Sequence, residues 1–277
     1  MMRSLKVGGH AVAIAEEGAG QPVLYLHGFA DIHSSSSDWL PFHHKLTGKL
    51  RLIAPAHPGC HVSEENKDVD TIEDVVFHYL QVLDALRVDR FHLAGASIGG
   101  WIAAEIAIRI PERVRSLALI GATGLYVPRQ PIADIFMFVQ AKNGDDFSDY
   151  RRTLFRDAAA PEALAMFPNG RMTPEREMLR YRMFRFASRV GFAPPYLHDR
   201  KLRERLSRFA GPAVVIAGKR DNLVPMVHAR AYAEGLRGSE LKLIADAGNS
   251  AAVEKPGEVA AAVLACVERA GVRAAAT

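Results

Sequence analysis

The stretch Gly95-Ala96-Ser97-Ile98-Gly99 constrains this chain more than any other. The apolar run Phe91-His92-Leu93-Ala94 precedes it and Gly100-Trp101-Ile102-Ala103-Ala104-Glu105 follows, a pattern that predicts strand, sharp turn and helix. A serine at such a junction must take a strained backbone to lift its hydroxyl above the sheet. Glycines two before and two after remove the Cβ atoms that would collide there. The spacing G-x-S-x-G is that of a nucleophile elbow. The bland alternative is a serine that caps the helix, and the flanking strand and long alanine-rich helix favour the elbow.

The rest of the chain alternates in the same way. Leu5 to Glu17 predicts a hairpin of edge strands, and Pro22–Leu26, Leu50–Pro55, Val114–Ile120, Ala213–Ala217 and Leu241–Ala245 read as short strands. The more continuous apolar runs, such as Pro22–Leu26, suit strands buried on both faces of a parallel sheet. Helices are expected from Ser34–Asp38 to about Leu46, over Thr71–Leu86, from the elbow to Ile110, from about Pro225, and over Gly257–Ala270. Only Ala274–Thr277 reads as a frayed tail. Between Gly124 and Phe209 no strand is evident. The expectation is an α/β fold: a mostly parallel eight-stranded sheet with helices on both faces, formed by residues 1–123 and 209–277, and a helical cap over 124–208 inserted after the sixth strand.

Composition excludes several classes. No apolar run approaches the ~20 residues that span a bilayer, and the first residues lack a secretion signal's apolar core, so a cytoplasmic location without membrane association is expected. Cys60 and Cys266 have no metal-ligand spacing and predict free thiols. Between Arg151 and Arg208, fourteen basic residues face six acidic ones. The arginines recur at helical spacing among Met178, Leu179, Met183, Phe184 and Phe186, as for a solvated face opposite a buried one, which argues against a nucleic-acid surface. No G-x-G-x-x-G and no lysine-bearing phosphate loop is present, so no nucleotide, metal or other cofactor is implied.

Together these motifs resemble the α/β-hydrolase superfamily, in its capped serine-hydrolase branch. The resemblance rests on Leu26-His27-Gly28-Phe29, Pro58-Gly59, the elbow at Ser97, Gly218-Lys219-Arg220-Asp221, and Ala247-Gly248-Asn249 with Glu254-Lys255-Pro256. It implies Ser97 as nucleophile and an oxyanion hole from the backbone N–H groups of Phe29 and Ile98. It also implies Asp221 as the acid that orients a base, against the plainer reading of a helix-capping aspartate. In the slot where the family carries its catalytic histidine this chain has Asn249, and no histidine follows His228.

An amide cannot take and return a proton near neutral pH, so ordinary turnover does not follow from the resemblance. Three readings stay open. Asn249 is an engineered replacement of a parent histidine, made to trap substrate or acyl-enzyme; or another histidine serves as base, with His61 first and His27 and His33 behind it; or the chain has lost hydrolysis and either binds ligands or does chemistry that needs no triad. His228, on the helix after Asp221, is expected to face solvent. The expected partner is a small to medium apolar ester, lactone or C–C carbonyl compound, held near His27, Trp101, Phe136 and Met137 between cap and core. The sequence does not fix the oligomeric state.

Overall fold

The computed structural model describes residues 2–31, 39–138, 147–192 and 196–275. His33, the Ser34–Asp38 helix start and the last two residues of the tail lie outside the described residues.

The first two strands, β1 (Met2–Val7) and β2 (His10–Glu17), form the expected antiparallel hairpin. Then come β3 (Pro22–Leu26), α1 (Pro41–Thr47), β4 (Arg51–Pro55), α2 (Ile72–Ala85), β5 (Phe91–Ala96), α3 (Ile98–Arg109) and β6 (Val114–Ile120). After a long intervening segment, β9 (Ala213–Gly218), α8 (Met226–Gly235), β10 (Glu240–Ile244), α9 (Ala251–Glu254) and α10 (Pro256–Ala275) complete the fold. The eight strands lie in the order β1-β2-β4-β3-β5-β6-β9-β10, parallel throughout from β4 to β10. The chain has an α/β fold with a mostly parallel eight-stranded sheet. α10 runs further than its apolar pattern suggests and takes in Ala274 and Ala275.

All of β5 and β9 is buried, as continuous apolar runs require, and helices cover both faces. On one face α1 and α10 pack over Tyr25, Leu52, Ala94, Ile120 and Ile216. On the other, α2 and α3 meet Leu24, Leu93, Leu119 and Val215. Thr71 caps α2 by accepting from the Asp74 N–H at 3.1 Å, and Asp74 accepts in return from the Thr71 N–H at 3.0 Å. Among the described residues no helix is long and apolar enough to cross a membrane.

Residues 121–212 carry a short pair β7 (Gly124–Leu125) and β8 (His198–Asp199), α4 (Ser148–Leu154), α5 (Pro161–Met166), α6 (Pro174–Gly191), α7 (Leu202–Arg205) and 3-10 turns at Ile135–Phe138 and Leu206–Arg208. Ile135, Leu154, Phe167 and Met183 join the same buried cluster as the α2–α3 face of the sheet. The α6 arginines do more than solvate. Arg182 donates to the His61 carbonyl, Arg189 to the Asn66 carbonyl at 3.1 Å, and Arg185 pairs with Glu65 at 2.8 Å. Arg180 lies 3.7 Å over the Phe167 ring, where burial pushes its guanidinium down to about 9. Met178, expected on the buried face, is 49% exposed: five residues from Met183, it lies ~140° around the helix.

Both cysteines are free and buried, and burial raises both thiols, Cys266 to about 11. The native protein at pH 8 is therefore expected to be silent to Ellman's reagent, with both thiols titrating only in guanidinium chloride. Rapid colour from the folded protein would contradict the burial.

Candidate active site

Parallel strands bring the loops after their carboxyl ends to one edge, and here these are the loops after β3, β5, β6, β9 and β10. Ser97 sits between β5 and α3 with φ 51° and ψ −116°, outside the regions comfortable for a side-chain-bearing residue. The turn is held from both sides: the Ser97 N–H donates to the Ile120 carbonyl at 2.8 Å, and the Ser97 carbonyl accepts from the Thr123 N–H at 3.2 Å. A Cβ on Gly95 would lie 2.2 Å from the Gly99 carbonyl oxygen, and one on Gly99 would lie 2.1 Å from that of Leu26. The glycine spacing is thus a requirement of strand and helix crossing in contact. The Ser97 hydroxyl is buried and has no hydrogen-bond partner among the described residues.

The loop after β3 folds over Asp31. One carboxylate oxygen accepts the Gly28 N–H at 2.6 Å and the other the Tyr25 hydroxyl. Among the described residues the N–H groups of Phe29 and Ile98 have no backbone partner, so both remain available as donors beside Ser97. His27 is fixed in the same loop. The His57 N–H reaches its Nε2 at 3.3 Å, which makes Nε2 the acceptor and leaves Nδ1, 3.2 Å from the Gly28 carbonyl, as the donor. His57 completes the arrangement with Nε2 at 2.9 Å from the His27 carbonyl and Nδ1 on the Tyr79 hydroxyl. Both nitrogens of His27 are engaged in holding the loop.

Asp221 follows β9 in a tight turn. Its Oδ1 accepts the N–H groups of Leu223 and Val224 at 2.9 and 2.8 Å, and its Oδ2 accepts Asn249 Nδ2 at 2.9 Å. Asn249 Nδ2 also donates to the Gly121 carbonyl at 3.0 Å, so both amide hydrogens are spent and Oδ1 is the polar atom left to a neighbour. Gly121, at φ 52°, makes room: a Cβ there would come within 2.8 Å of Asn249 Nδ2. Glu254 accepts the Gly248 N–H at 2.7 Å and the Arg156 N–H at 2.8 Å, fastening the Asn249 loop to the end of α4. A cavity of about 20 Å³ is lined by Phe29, Asp31, Ser97, Ile120, Asn249 and Val253 among others.

Burial pushes the Asp221 carboxyl up to about 7, against the opposing pull of its three hydrogen-bond donors. The folded state therefore holds the proton that the unfolded chain releases near pH 4. Asp221 costs the fold nothing below pH 4 and progressively more as pH rises to 7, up to about 4 kcal/mol. The stability of Asp221→Asn relative to the parent is expected to climb between pH 5 and pH 8 in denaturant titrations. A difference that stays flat with pH would show the carboxylate to be at ease.

Other expected site residues are placed elsewhere. Trp101 is buried on α3, its indole N–H donating to Glu105 at 3.2 Å and its ring against Gly124, so it belongs to the core. Met137 is 73% exposed. Phe136 packs edge-on to Phe29, at 6.3 Å, and to Phe184. His61 lies at φ 51° in the turn after β4, under α6 and outside the lining of the Ser97 cavity. His228 is 1% exposed rather than solvent-facing, with Nε2 at 2.7 Å from the Gln130 carbonyl. Sequence reasoning missed Asp31 and Gly121, and it quoted Glu254 within a motif without giving it a role. An aspartate three residues after Gly28 is the one signal that was available.

Residues 21–256 match the model of the α/β hydrolase fold family. The chain belongs to this family. It is 27% identical over 280 residues to the 2-hydroxymuconate semialdehyde hydrolase of Pseudomonas sp. (strain CF600), covering 94% of this chain and 92% of that one. Among solved structures it is similar to the 2-hydroxy-6-oxo-6-phenylhexa-2,4-dienoate hydrolase from Rhodococcus sp. strain RHA1, with 19% identity, a TM-score of 0.76, and 97% and 98% of the two chains covered. It is also similar to the naproxen esterase of Bacillus subtilis, with 20% identity, a TM-score of 0.75, and 96% and 90% covered. At these identities the solved structures speak for the fold.

Proposed function

We propose that this α/β hydrolase acts on a small to medium apolar ester, lactone or C–C carbonyl compound, with Ser97 as nucleophile and Asp221 as the acid. Asn249 stands in the base position, and turnover is impaired as a result. The observation that carries the reading is the 2.9 Å bond from Asn249 to Asp221 Oδ2 beside a buried Ser97 hydroxyl that has no hydrogen-bond partner among the described residues. The Phe29 and Ile98 N–H groups would receive the carbonyl oxygen as it gains negative charge. Phe29, Ala96, Ile120, Ala252 and Val253 around Ser97 favour an apolar acyl portion. The 2-hydroxymuconate semialdehyde hydrolase to which the chain is similar supports the C–C carbonyl part of the same class.

Among the described residues no imidazole lines the Ser97 cavity to take the serine proton. Loss of the base in such a triad costs on the order of a millionfold in turnover, leaving roughly a thousandfold over water from the oxyanion hole and binding. The same feature supports a second reading, a protein that binds carbonyl compounds without turning them over. A panel of p-nitrophenyl esters of increasing chain length beside β-diketones, followed for product and for melting temperature, separates the two. Slow hydrolysis that disappears in Ser97→Ala supports the enzyme. A raised melting temperature without product supports the binding protein, and indifference to every compound overturns both.

A further inference from the structure

At the amino ends of β5, β6 and β9, opposite the Ser97 edge, lies a hollow of about 460 Å³. Four arginines line it from four separate segments: Arg90 before β5, Arg115 in β6, Arg208 in the turn before β9 and Arg273 in α10. Glu112 is the one acidic side chain among the described lining residues, whose side-chain charges sum to about +3. Its remaining walls are apolar, with Pro111, Val114 and Pro212 among them.

Like charges gathered in one hollow repel, and the described lining offers a single carboxylate against four guanidinium groups. Two of the four are held by backbone carbonyls: Arg208 Nε donates to Ile108 at 2.9 Å and Arg273 to Ala210 at 2.6 Å. Arg90 is exposed, and neither it nor Arg115 has a carboxylate partner among the described residues. Arg115 Nε is buried with no hydrogen-bond partner, whereas buried donors are ordinarily satisfied. The field reaches inward as well, since Arg115 adds to the burial that pushes His92 down to about 4.

We propose that this hollow is a binding site for an organic polyphosphate, of the class of nucleoside di- and triphosphates. Guanidinium forks match phosphate oxygens two at a time, a charge near +3 complements a di- or triphosphate, and the proline-rich wall offers a surface for an apolar or ring portion. The volume lies within the range of small-molecule sites. Arg90 and Ser97 are at opposite ends of β5, roughly 20 Å apart at ~3.3 Å per residue, so the site is separate from the candidate active site.

Calorimetric titration of the whole protein with ATP, ADP and inorganic pyrophosphate, and with adenosine as the uncharged control, tests this. ATP and ADP are expected to bind with a Kd below about 1 mM, tighter than pyrophosphate, and adenosine not to bind. Affinity should fall steeply as salt rises from about 50 to about 200 mM. Arg90→Ala, at an exposed side chain without a hydrogen-bond or ion-pair partner among the described residues, and Arg115→Gln should each weaken binding at least tenfold, and Ser97→Ala should leave it unchanged. Pyrophosphate binding as well as ATP overturns the organic portion of the proposal. Absence of saturable binding, binding that survives both arginine changes, or binding lost in Ser97→Ala overturns the site. Capture of duplex DNA without capture of ATP would replace it with a nucleic-acid surface.

Discussion

Asn249→His is expected to raise hydrolysis of apolar p-nitrophenyl esters by at least about a thousandfold, within the span that loss of a triad base costs. The argument is one of atom positions. Histidine Nδ1 is two bonds from Cβ, as asparagine Nδ2 is, so an Nδ1–H can inherit the 2.9 Å bond to Asp221 Oδ2. That bond fixes the tautomer with Nε2 unprotonated, turned away from Asp221 toward the cavity that Ser97 and Asn249 share. The Ser97 hydroxyl has no competing partner among the described residues to surrender. The imidazolium formed during attack would sit against Asp221, which then gains from being ionised. Rates should rise with pH through the titration of the new imidazole and return to the parent's level in the Ser97→Ala double variant. If Asn249→His gains nothing while His61→Ala abolishes an existing activity, the base lies at His61. If neither change matters and a fluorophosphonate fails to label Ser97, the hydrolytic reading is wrong.

The second large effect concerns folding. Gly99→Ala is expected to lose at least about 3 kcal/mol, or to fail to fold, because the new Cβ would lie 2.1 Å from the Leu26 carbonyl oxygen and 2.6 Å from that of His27. Both contacts are backbone, so no side chain can swing aside; α3 must lift from β3, and Ser97 moves with it. For a chain of this size the loss corresponds to a melting temperature lower by roughly 6–12 °C. Gly271→Ala in α10 is the control. Among the described residues nothing outside its own stretch of helix lies within 4 Å of its added Cβ, and the helix should gain up to about 1 kcal/mol. Equal melting temperatures for the two variants would mean that strand and helix at the elbow are not in contact.

What the sequence disclosed and what it withheld follow from range. β3, β5, β6 and β9 were legible because strands buried on both faces over most of their length must be mostly apolar, and the elbow because two glycines record one close crossing. Ser97, Asp221 and Asn249 were each legible from local motifs, but not the 2.9 Å contact between the last two, which depends on how the loops after β9 and β10 press together. Trp101 misled because an aromatic next to an elbow looks the same whether it faces a ligand or Gly124. His228 misled because the helix it sits on does reach the surface, at Val227 beside it, while its own ring turns toward the Gln130 carbonyl. Asp31 went unseen and Glu254 was left without a role because both accept peptide N–H groups, which every residue type but proline supplies alike.

The sheet is open, ending at β1 on one side and β10 on the other, and each end exposes backbone groups that no neighbouring strand of the sheet takes up. Such a rim can recruit a strand from another molecule and start an aggregate. Both rims carry charge on their solvent-facing positions, Arg3 and Lys6 on β1 and Glu240 and Lys242 on β10, and β10 is only five residues long. An incoming strand would have to bury those charges to pair, so the parts of this fold with unused hydrogen-bonding capacity are also those least hospitable to a stranger.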